Sequence, residues 1–439
     1  MSKQLKLIFL GGVGEIGKNM TALEFDDDII IIDCGVDFPD EDTPGIDAII
    51  PDITYIKENV SKLKGILLTH GHEDHIGGLQ YILDDVQVPV FGTALTLGIL
   101  ERKLIERKIK ADLVTVKEGD RVRLGCFDVE FIKVAHSMAG ACALSIETPV
   151  GVVFHTGDYK IDSTPIDGKL TDLQRIAEIG ARGVLAMLGE STNVERKGHS
   201  TSEKAVGQGL ENIFVANRDK RIVVATFASS NYRVQQILNL ADKYGRKVIL
   251  SGRSMHAIVE VAAKVGELKV PKNILVDGPG NLPYSRQLIL ATGTQGEPMS
   301  ALTRMSQGEF KKITIGENDV VIISSSPIPG NDKSVYKVIN NLFRCGAHVI
   351  YDAMNDIHVS GHAYEEELKI MLSLVKPRYF FPVHGEFRHQ FKNAMLAEAL
   401  GVPRGNIAIP EIGHVYAISK RDLKRLANVP AGSLYVDGF

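Results

Sequence analysis

The sequence predicts an α/β protein in which one domain is inserted into another, and two changes of rhythm carry that expectation. Up to about residue 200, short apolar runs alternate with turns. Beyond Arg221, strand-like runs alternate with helical segments, and after about residue 362 the earlier character returns. Strands regularly followed by helices mark βαβ units and a parallel sheet, so the middle stretch is the insertion.

In the first part, strands are predicted over residues 5–10, 20–25, 29–33, 65–69, 88–91, 127–134, 143–148, 152–155 and 183–188, from compact apolar runs bounded by turn residues. Ile29-Ile30-Ile31-Ile32 is apolar at every position, as in a strand covered on both faces. Residues 101–108 alternate acids and bases at helical spacing, which suits the wet face of an amphipathic helix. In the middle part, strands 222–227, 247–251 and 320–324 lead into helices 232–244, 255–268 and 334–345. In the last part, strands 378–382 and 407–419 flank a helix over 390–400. No internal repeat or low-complexity tract interrupts this order.

The opening glycines invite a misreading. Gly12-Val-Gly14-Glu-Ile-Gly17 follows a strand and matches the G-x-G-x-x-G of dinucleotide-binding folds. That motif has to open a helix, because the helix N-terminus is what holds the pyrophosphate. Here residues 20–25 read as another strand, so a hairpin is predicted instead.

At 439 residues, with 44% hydrophobic and 24% charged side chains, the chain suits a two-domain globular protein. Its net charge of −4 lacks the basic excess of a typical nucleic-acid binder, so contact with a polyanion must come from local patches or bound cations. Cys34, Cys126, Cys142 and Cys345 form no C-x-x-C pair, which fits a reducing compartment. No apolar run is long enough for a membrane span and no signal-peptide pattern opens the chain, so a cytoplasmic location is expected.

The densest chemistry lies in Thr69-His70-Gly71-His72-Glu73-Asp74-His75, directly after a buried strand. Three imidazoles and a carboxylate at this spacing form a nitrogen–oxygen donor set suited to Zn²⁺ or Mn²⁺. In an extended loop His70 and His72 point the same way and can share one ion, leaving Asp74 and His75 to turn toward a second. Gly71, Gly77 and Gly78 let the backbone bend.

H-x-H-x-D-H after a strand resembles the signature of the metallo-β-lactamase superfamily. Its other ligand positions match His136 in Val134-Ala-His136-Ser137, Asp158 in Thr156-Gly157-Asp158-Tyr159, and His384 in Pro382-Val-His384-Gly385. The resemblance implies two divalent ions, one held by His70, His72 and His136 and the other by Asp74, His75 and His384, with Asp158 shared. Asp33 matches the aspartate that orients a ligand from behind. His155, His199, His348, His389 and His414 match no ligand position.

An α/β insertion ahead of the last metal histidine is similar to the β-CASP nucleases. Glu190 in Gly189-Glu190-Ser191 matches their acidic motif, and His362 in His358-Val-Ser360-Gly361-His362 their additional histidine. The opening glycine motif, Ala291-Thr-Gly-Thr-Gln-Gly-Glu-Pro298 and Ser324-Ser-Ser-Pro-Ile-Pro-Gly330 are similar to ribonucleases J. The implied fold is a metallo-β-lactamase αββα sandwich over residues 1–205 and 363–439, with a parallel-sheet β-CASP domain over 206–362. Three features depart from the family pattern. Glu190 replaces a common aspartate, Ser137-Met138-Ala139-Gly140 replaces Ser-Ile-Pro-Asp, and the sequence stops near Val436, about where bacterial relatives continue into a domain tied to dimerisation.

The activity implied is metal-dependent hydrolysis of RNA phosphodiesters in RNA processing and decay. It would run 5′→3′ from 5′-monophosphate ends, with endonucleolytic cleavage at the same centre. Asp74 or Asp158 would orient the attacking water and accept its proton, His362 would protonate the leaving 3′ oxygen, and Glu190 joins them as a catalytic acidic residue. Ser229, Ser230, Asn231, Arg253, His358, Ser360, Gly361 and His362 would bind the terminal phosphate, although Ser and Asn after a strand also cap helices without any ligand. Single-stranded RNA is the implied partner, in a homodimer or homotetramer and with other RNA-decay proteins. A small-ester or lactam hydrolase, or a non-catalytic subunit of a nuclease complex, are the competing readings; the first leaves the insertion and His362 without a task, and the second conflicts with a full ligand set.

Overall fold

The structure is a computed structural model that describes residues 4–38, 43, 45–297, 299–327, 331–351 and 357–437. Pro298 and residues 328–330, parts of two of the motifs quoted above, lie outside the described residues. The chain forms two compact units. The first comprises residues 1–161, 170–200 and 361–439, and the second comprises 162–169 and 201–360.

The first unit is a sandwich of two sheets. One runs, edge to edge, Leu423–Arg425, Val415–Ile418, Leu5–Gly11, Met20–Phe25, Asp28–Ile32, Leu63–Leu67, Val90–Gly92 and Leu113–Thr115. The other runs Tyr379–Val383, Ala186–Glu190, Gly151–His155, Cys142–Thr148, Phe127–Lys133 and Arg121–Leu124. Their facing sides share one apolar core, with Phe9, Leu23 and Ile30 from the first sheet against Phe131, Leu144, Leu188 and Phe381 from the second. Strand side chains alternate between faces, so Phe380, next to inward Phe381, points outward instead. There it joins Ile132, Phe154 and Met187 beneath helices Leu173–Arg182, Glu365–Val375 and Phe387–Ala399. Helix Ala94–Arg107 packs beside the strands Val90–Gly92 and Leu113–Thr115 of the first sheet. This is the αββα sandwich expected from the histidine motif, and cover on both sheet faces explains the nearly continuous apolar strands.

The second unit holds a five-stranded, wholly parallel sheet in the order Lys247–Ser251, Gln287–Ala291, Arg221–Ala225, Asp319–Ile323, His348–Ile350. Helices Asn231–Lys243, Arg253–Lys264 and Asp332–Arg344 follow three of these strands. The strand Gln287–Ala291 escaped the sequence reading although Leu288-Ile289-Leu290-Ala291 is fully buried. No long helix follows it, only the short Ala301–Ser306 after a loop, so the strand–helix rhythm skips it.

Two other expectations shift. The strand predicted over 407–419 is confined to Val415–Ile418, because Pro410 and Gly413, with φ of 81°, break pairing ahead of it. The strand predicted over 65–69 pairs only as Leu63–Leu67, and the chain leaves the sheet at Leu68 to begin the histidine loop. The glycine-rich opening is the hairpin predicted: Leu5–Gly11 pairs antiparallel with Met20–Phe25, with no helix between them. Among the described residues, no helix is long and apolar enough to cross a membrane.

Candidate metal centre

The loop histidines gather with His136, Asp158, His362 and His384 within the first unit. Residues 73–76 form a single helical turn after the extended His72, and neighbouring backbone fixes that turn. The Cys34 N–H donates to the His75 carbonyl at 2.8 Å, Val36 N–H to the Glu73 carbonyl at 3.0 Å, and Asn19 N–H to the Asp74 carbonyl at 3.0 Å. A Cβ on Gly35 would lie 1.7 Å from the Asp74 carbonyl oxygen, so only glycine allows this approach.

Two groups of donor atoms result, and they share one carboxylate. His70, His72, His136 and Asp158 form the first; Asp74, His75, Asp158 and His384 form the second; within each group the ligand atoms lie within 4.8 Å of one another. A third group, Asp158 with Glu190 and His362, adjoins them. His72 Nδ1 stands 3.0 Å from His70 Nε2 and 3.1 Å from His136 Nε2. Asp158 Oδ2 lies 3.1 Å from His384 Nε2, 3.3 Å from His75 Nε2 and 3.5 Å from His70 Nε2.

These spacings test whether a metal ion fits. A tetrahedron of nitrogens at zinc bond lengths has edges of about 3.3 Å. The His72 nitrogen stands close to that separation from each of the other two, at 3.0 and 3.1 Å. The outer nitrogens of His70 and His136 also have partners that take their protons, which leaves the inner ones as acceptors. His136 Nδ1–H donates to the Gly361 carbonyl at 2.8 Å, and His70 Nδ1 lies 3.1 Å from Thr69 Oγ1, whose own hydroxyl donates to Asp33 at 2.8 Å. His75 Nδ1–H donates to Asp33 Oδ2 at 2.8 Å. Such partners fix the ring orientation and tautomer of metal-binding histidines. The residues present therefore fit divalent cations.

Electrostatics agree with that reading for the first group. Burial holds His70 and His136 well below the ordinary imidazole range, helped by neighbouring imidazoles, and takes His72 down to about 4. For Asp158, burial acts upward, but His384, His75 and His70 outweigh it and keep the carboxyl well below its usual range. For His75, burial acts downward and is outweighed by Asp158, Asp74 and Asp33, which raise it well above. The first group is thus neutral imidazoles beside an anionic carboxylate, the protonation state a cation needs.

Two site residues have left-handed backbone, Asp33 with φ of 58° and His384 with φ of 51°. Such conformations are costly for residues with a Cβ and persist where surroundings hold them. At His384 the N–H donates to the Gly12 carbonyl at 2.7 Å, while its carbonyl accepts from Ser191 N–H at 3.3 Å and Thr192 Oγ1 at 3.1 Å. Gly361 is required by contact instead. An added Cβ would sit 2.8 Å from His136 Cε1 and Nδ1. Gly361→Ala is expected to displace the His136 ring and weaken metal retention about 10- to 100-fold, read as metal left per chain in competition with a chelator.

Beside the centre, His362 Nδ1 lies 2.9 Å from Glu190 Oε2 and 3.8 Å from Asp158 Oδ2. Burial acts downward on this imidazole, but Glu190 and Asp158 outweigh it and raise it to about 9. The other oxygen of Glu190 accepts from Tyr159 N–H at 2.9 Å. The loop that departs from the family pattern packs locally: buried Met138 presents its sulfur to Gly71, where an added Cβ would be 3.1 Å away.

The phosphate-pocket candidates divide. Gly361 and His362 belong to the first unit and the others to the second. Ser229, Ser230 and Asn231 follow strand Arg221–Ala225, Arg253 follows Lys247–Ser251, and His358 and Ser360 come after His348–Ile350. Each therefore lies beyond the carboxyl end of a parallel strand, the edge at which open α/β sheets bind ligands. Ser230 caps helix Asn231–Lys243 by position but gives it no side-chain hydrogen bond. Asn231 is buried with its amide toward the Glu267 carbonyl at 3.5 Å, and Arg253 is exposed.

Sequence reasoning passed over Asn19, Thr69 and His155. Asn19 Nδ2 donates to the Asp74 carbonyl at 3.0 Å and lies 3.4 Å from His75 Nε2, and its signal was its place just after the opening glycine motif. Thr69 precedes the first histidine. His155 is buried, accepts from Gly157 N–H at 3.0 Å, and is carried down to about 4, chiefly by burial. It shapes the turn before Asp158 as a neutral ring.

Comparison with known proteins agrees with this architecture. Residues 13–188 match the metallo-beta-lactamase superfamily, 219–342 the "Ribonuclease J, beta-CASP domain", and 347–410 the "Zn-dependent metallo-hydrolase RNA specificity domain". The chain is 46% identical over 442 residues to a ribonuclease J of Synechocystis sp., covering 99% of this chain and 69% of that protein. It is 43% identical to a ribonuclease J of Thermus thermophilus, covering 99% and 78%, and 42% identical to ribonuclease J 1 of Streptococcus pyogenes, covering 98% and 77%. A solved structure from Enterococcus faecalis, titled as a protein of unknown function, shares the fold with a TM-score of 0.65 at 17% identity, covering 94% of this chain and all of that one. With this breadth of identity over almost its whole length, the chain belongs to the ribonuclease J family, a metallo-β-lactamase domain carrying a β-CASP domain.

Proposed function

We propose that the protein is a metal-dependent ribonuclease that hydrolyses RNA phosphodiesters at a two-cation centre, working 5′→3′ from 5′-monophosphate ends and also cleaving internally. The observation that carries this reading is the pair of four-residue donor groups sharing Asp158, with the His362–Glu190 pair beside it. His70, His72 and His136 would hold one cation, and Asp74, His75 and His384 the other, with Asp158 between. Zn²⁺ suits the donor set best and Mn²⁺ is the second choice. Bound cations supply Lewis acidity and lower the pKa of a coordinated water toward about 7.

The chain's own groups do the rest. Asp158 and Asp74 present carboxylate oxygens that orient the attacking water and take up its proton. His362, its Nδ1–H engaged by Glu190, has Nε2 as the nitrogen from which a proton can pass to the leaving 3′ oxygen. Glu190 fixes that tautomer and stabilises the charged ring, the part played by the acid behind a catalytic histidine in many hydrolases. Asp33 holds His75 from behind. We assign residues 1–205 and 363–439 to the metallo-β-lactamase domain and 206–362 to the β-CASP domain. Ser229, Ser230, Asn231, Arg253, His358, Ser360 and Gly361 are assigned to the terminal phosphate. A cytoplasmic homodimer or homotetramer working with other RNA-decay proteins completes the reading.

The test is cleavage of one 3′-labelled RNA, prepared with a 5′-monophosphate or a 5′-triphosphate, by metal-stripped protein to which Zn²⁺ or Mn²⁺ is returned. Progressive shortening of the monophosphate form is expected. No cleavage of either RNA by the metal-loaded protein overturns the reading.

A further inference from the structure

Glu367 lies on no functional motif, and in sequence it looks like an ordinary helix-capping residue. It is the third residue of helix Glu365–Val375, where a glutamate commonly accepts from the N-cap N–H. That contact is present, from Tyr364 N–H to Oε2 at 2.8 Å. Three more bonds serve no helix end. Oε1 accepts from Ile161 N–H and Ser200 Oγ–H, each at 2.8 Å, and Oε2 accepts from Ser200 N–H at 2.8 Å. The side chain is fully buried. A buried carboxylate with four donors aimed at it is rigid, because leaving any of them unpaired is costly.

The donors lie on two chain segments that matter. Ile161 follows Asp158 by three residues, and Tyr364 follows His362 by two. A second carboxylate bridges the same two segments, since Glu190 accepts from Tyr159 N–H at 2.9 Å and pairs with His362 Nδ1 at 2.9 Å. Residues 158–161 and 362–364 are therefore tied together twice, by Glu190 near the centre and by Glu367 behind it. Within that frame His362 Nδ1 stands 3.8 Å from Asp158 Oδ2. One tether would allow the His362 segment to pivot. Two tethers a few residues apart do not.

We propose that Glu367 is a positioning residue for proton delivery, setting His362 against Asp158 through the backbone on either side of them. This inference rests on the reading of His362 as the proton donor. Removing the tether should then affect the step that needs the proton, while metal binding and RNA binding persist. Outer partners of this kind change activity about 10- to 100-fold.

The experiment compares wild type, Glu367→Gln and His362→Ala on two RNAs that differ at one bond. In the second RNA the scissile 3′-bridging oxygen is replaced by sulfur, a leaving group that departs without protonation. Metal per chain and KM for RNA are measured alongside. Glu367→Gln is expected to slow the normal bond about 10- to 100-fold at saturating RNA. The sulfur bond should stay within about threefold of wild type, with metal content and KM unchanged. His362→Ala should show the same selectivity more strongly. Equal loss on both bonds in His362→Ala overturns the proton-donor reading, and this inference with it. Selectivity in His362→Ala but not in Glu367→Gln overturns this inference alone and leaves Glu367 a helix cap. If the glutamine variant does not fold, Glu367→Asp keeps the charge but shortens the reach. The same selectivity is expected of it, and equal or absent effects on the two bonds overturn the proposal.

Discussion

Asp158→Asn is expected to lower RNA cleavage by at least about 10³-fold and to leave the protein depleted of metal. Its Oδ2 is within 3.1–3.5 Å of nitrogens from His384, His75 and His70, and it is the residue common to both donor groups. Asparagine keeps the volume and removes the charge that would offset the proposed cations in a buried pocket. Asp158 sits on the turn after strand Gly151–His155, whose path depends on backbone and glycine geometry rather than on the carboxylate, so folding should survive. Elemental analysis of the purified variant, beside its initial rate on 5′-monophosphorylated RNA, decides the matter. Full metal content with near-normal rate would remove Asp158 from the centre.

His362→Ala is expected to cost about 10²- to 10⁴-fold in kcat with metal per chain unchanged. The distinction from Asp158 follows from geometry. His362 belongs to neither of the two four-residue groups and has Glu190 as its close partner at 2.9 Å. Burial acts against the protonated ring, yet Glu190 and Asp158 raise it to about 9, which favours a ring that carries a proton. Alanine removes that proton and leaves Glu190 buried with its Tyr159 N–H bond alone on that side. A variant that lost metal in step with activity would show His362 to be a ligand, drawn into the third donor group with Asp158 and Glu190.

Much of the fold was legible because its signals are local. The buried strands showed as unbroken apolar runs, and the insertion showed as a change from strand–turn to strand–helix order. The opening glycines were separable from a dinucleotide motif because the strand at Met20–Phe25 leaves no room for a helix. Gln287–Ala291 was missed since its following helix is short and distant, and the 407–419 stretch was overread since apolar content outweighed Pro410 and Gly413.

For the site, the sequence by itself determined which side chains are the candidates for chemistry. His70, His72, Asp74 and His75 are close in sequence, and the remaining candidates stand at strand ends in recognisable motifs. Donor type and spacing are properties of the chain, and they survive translation into a string of letters. Only the tertiary structure decided how those residues are held. Asp33 behind His75, the Gly361 carbonyl on His136, Gly35 against the Asp74 carbonyl, and the two carboxylates spanning segments 158–161 and 362–364 join positions up to 225 residues apart. Most of these contacts run through backbone N–H and C=O groups, which every residue has and no sequence pattern marks.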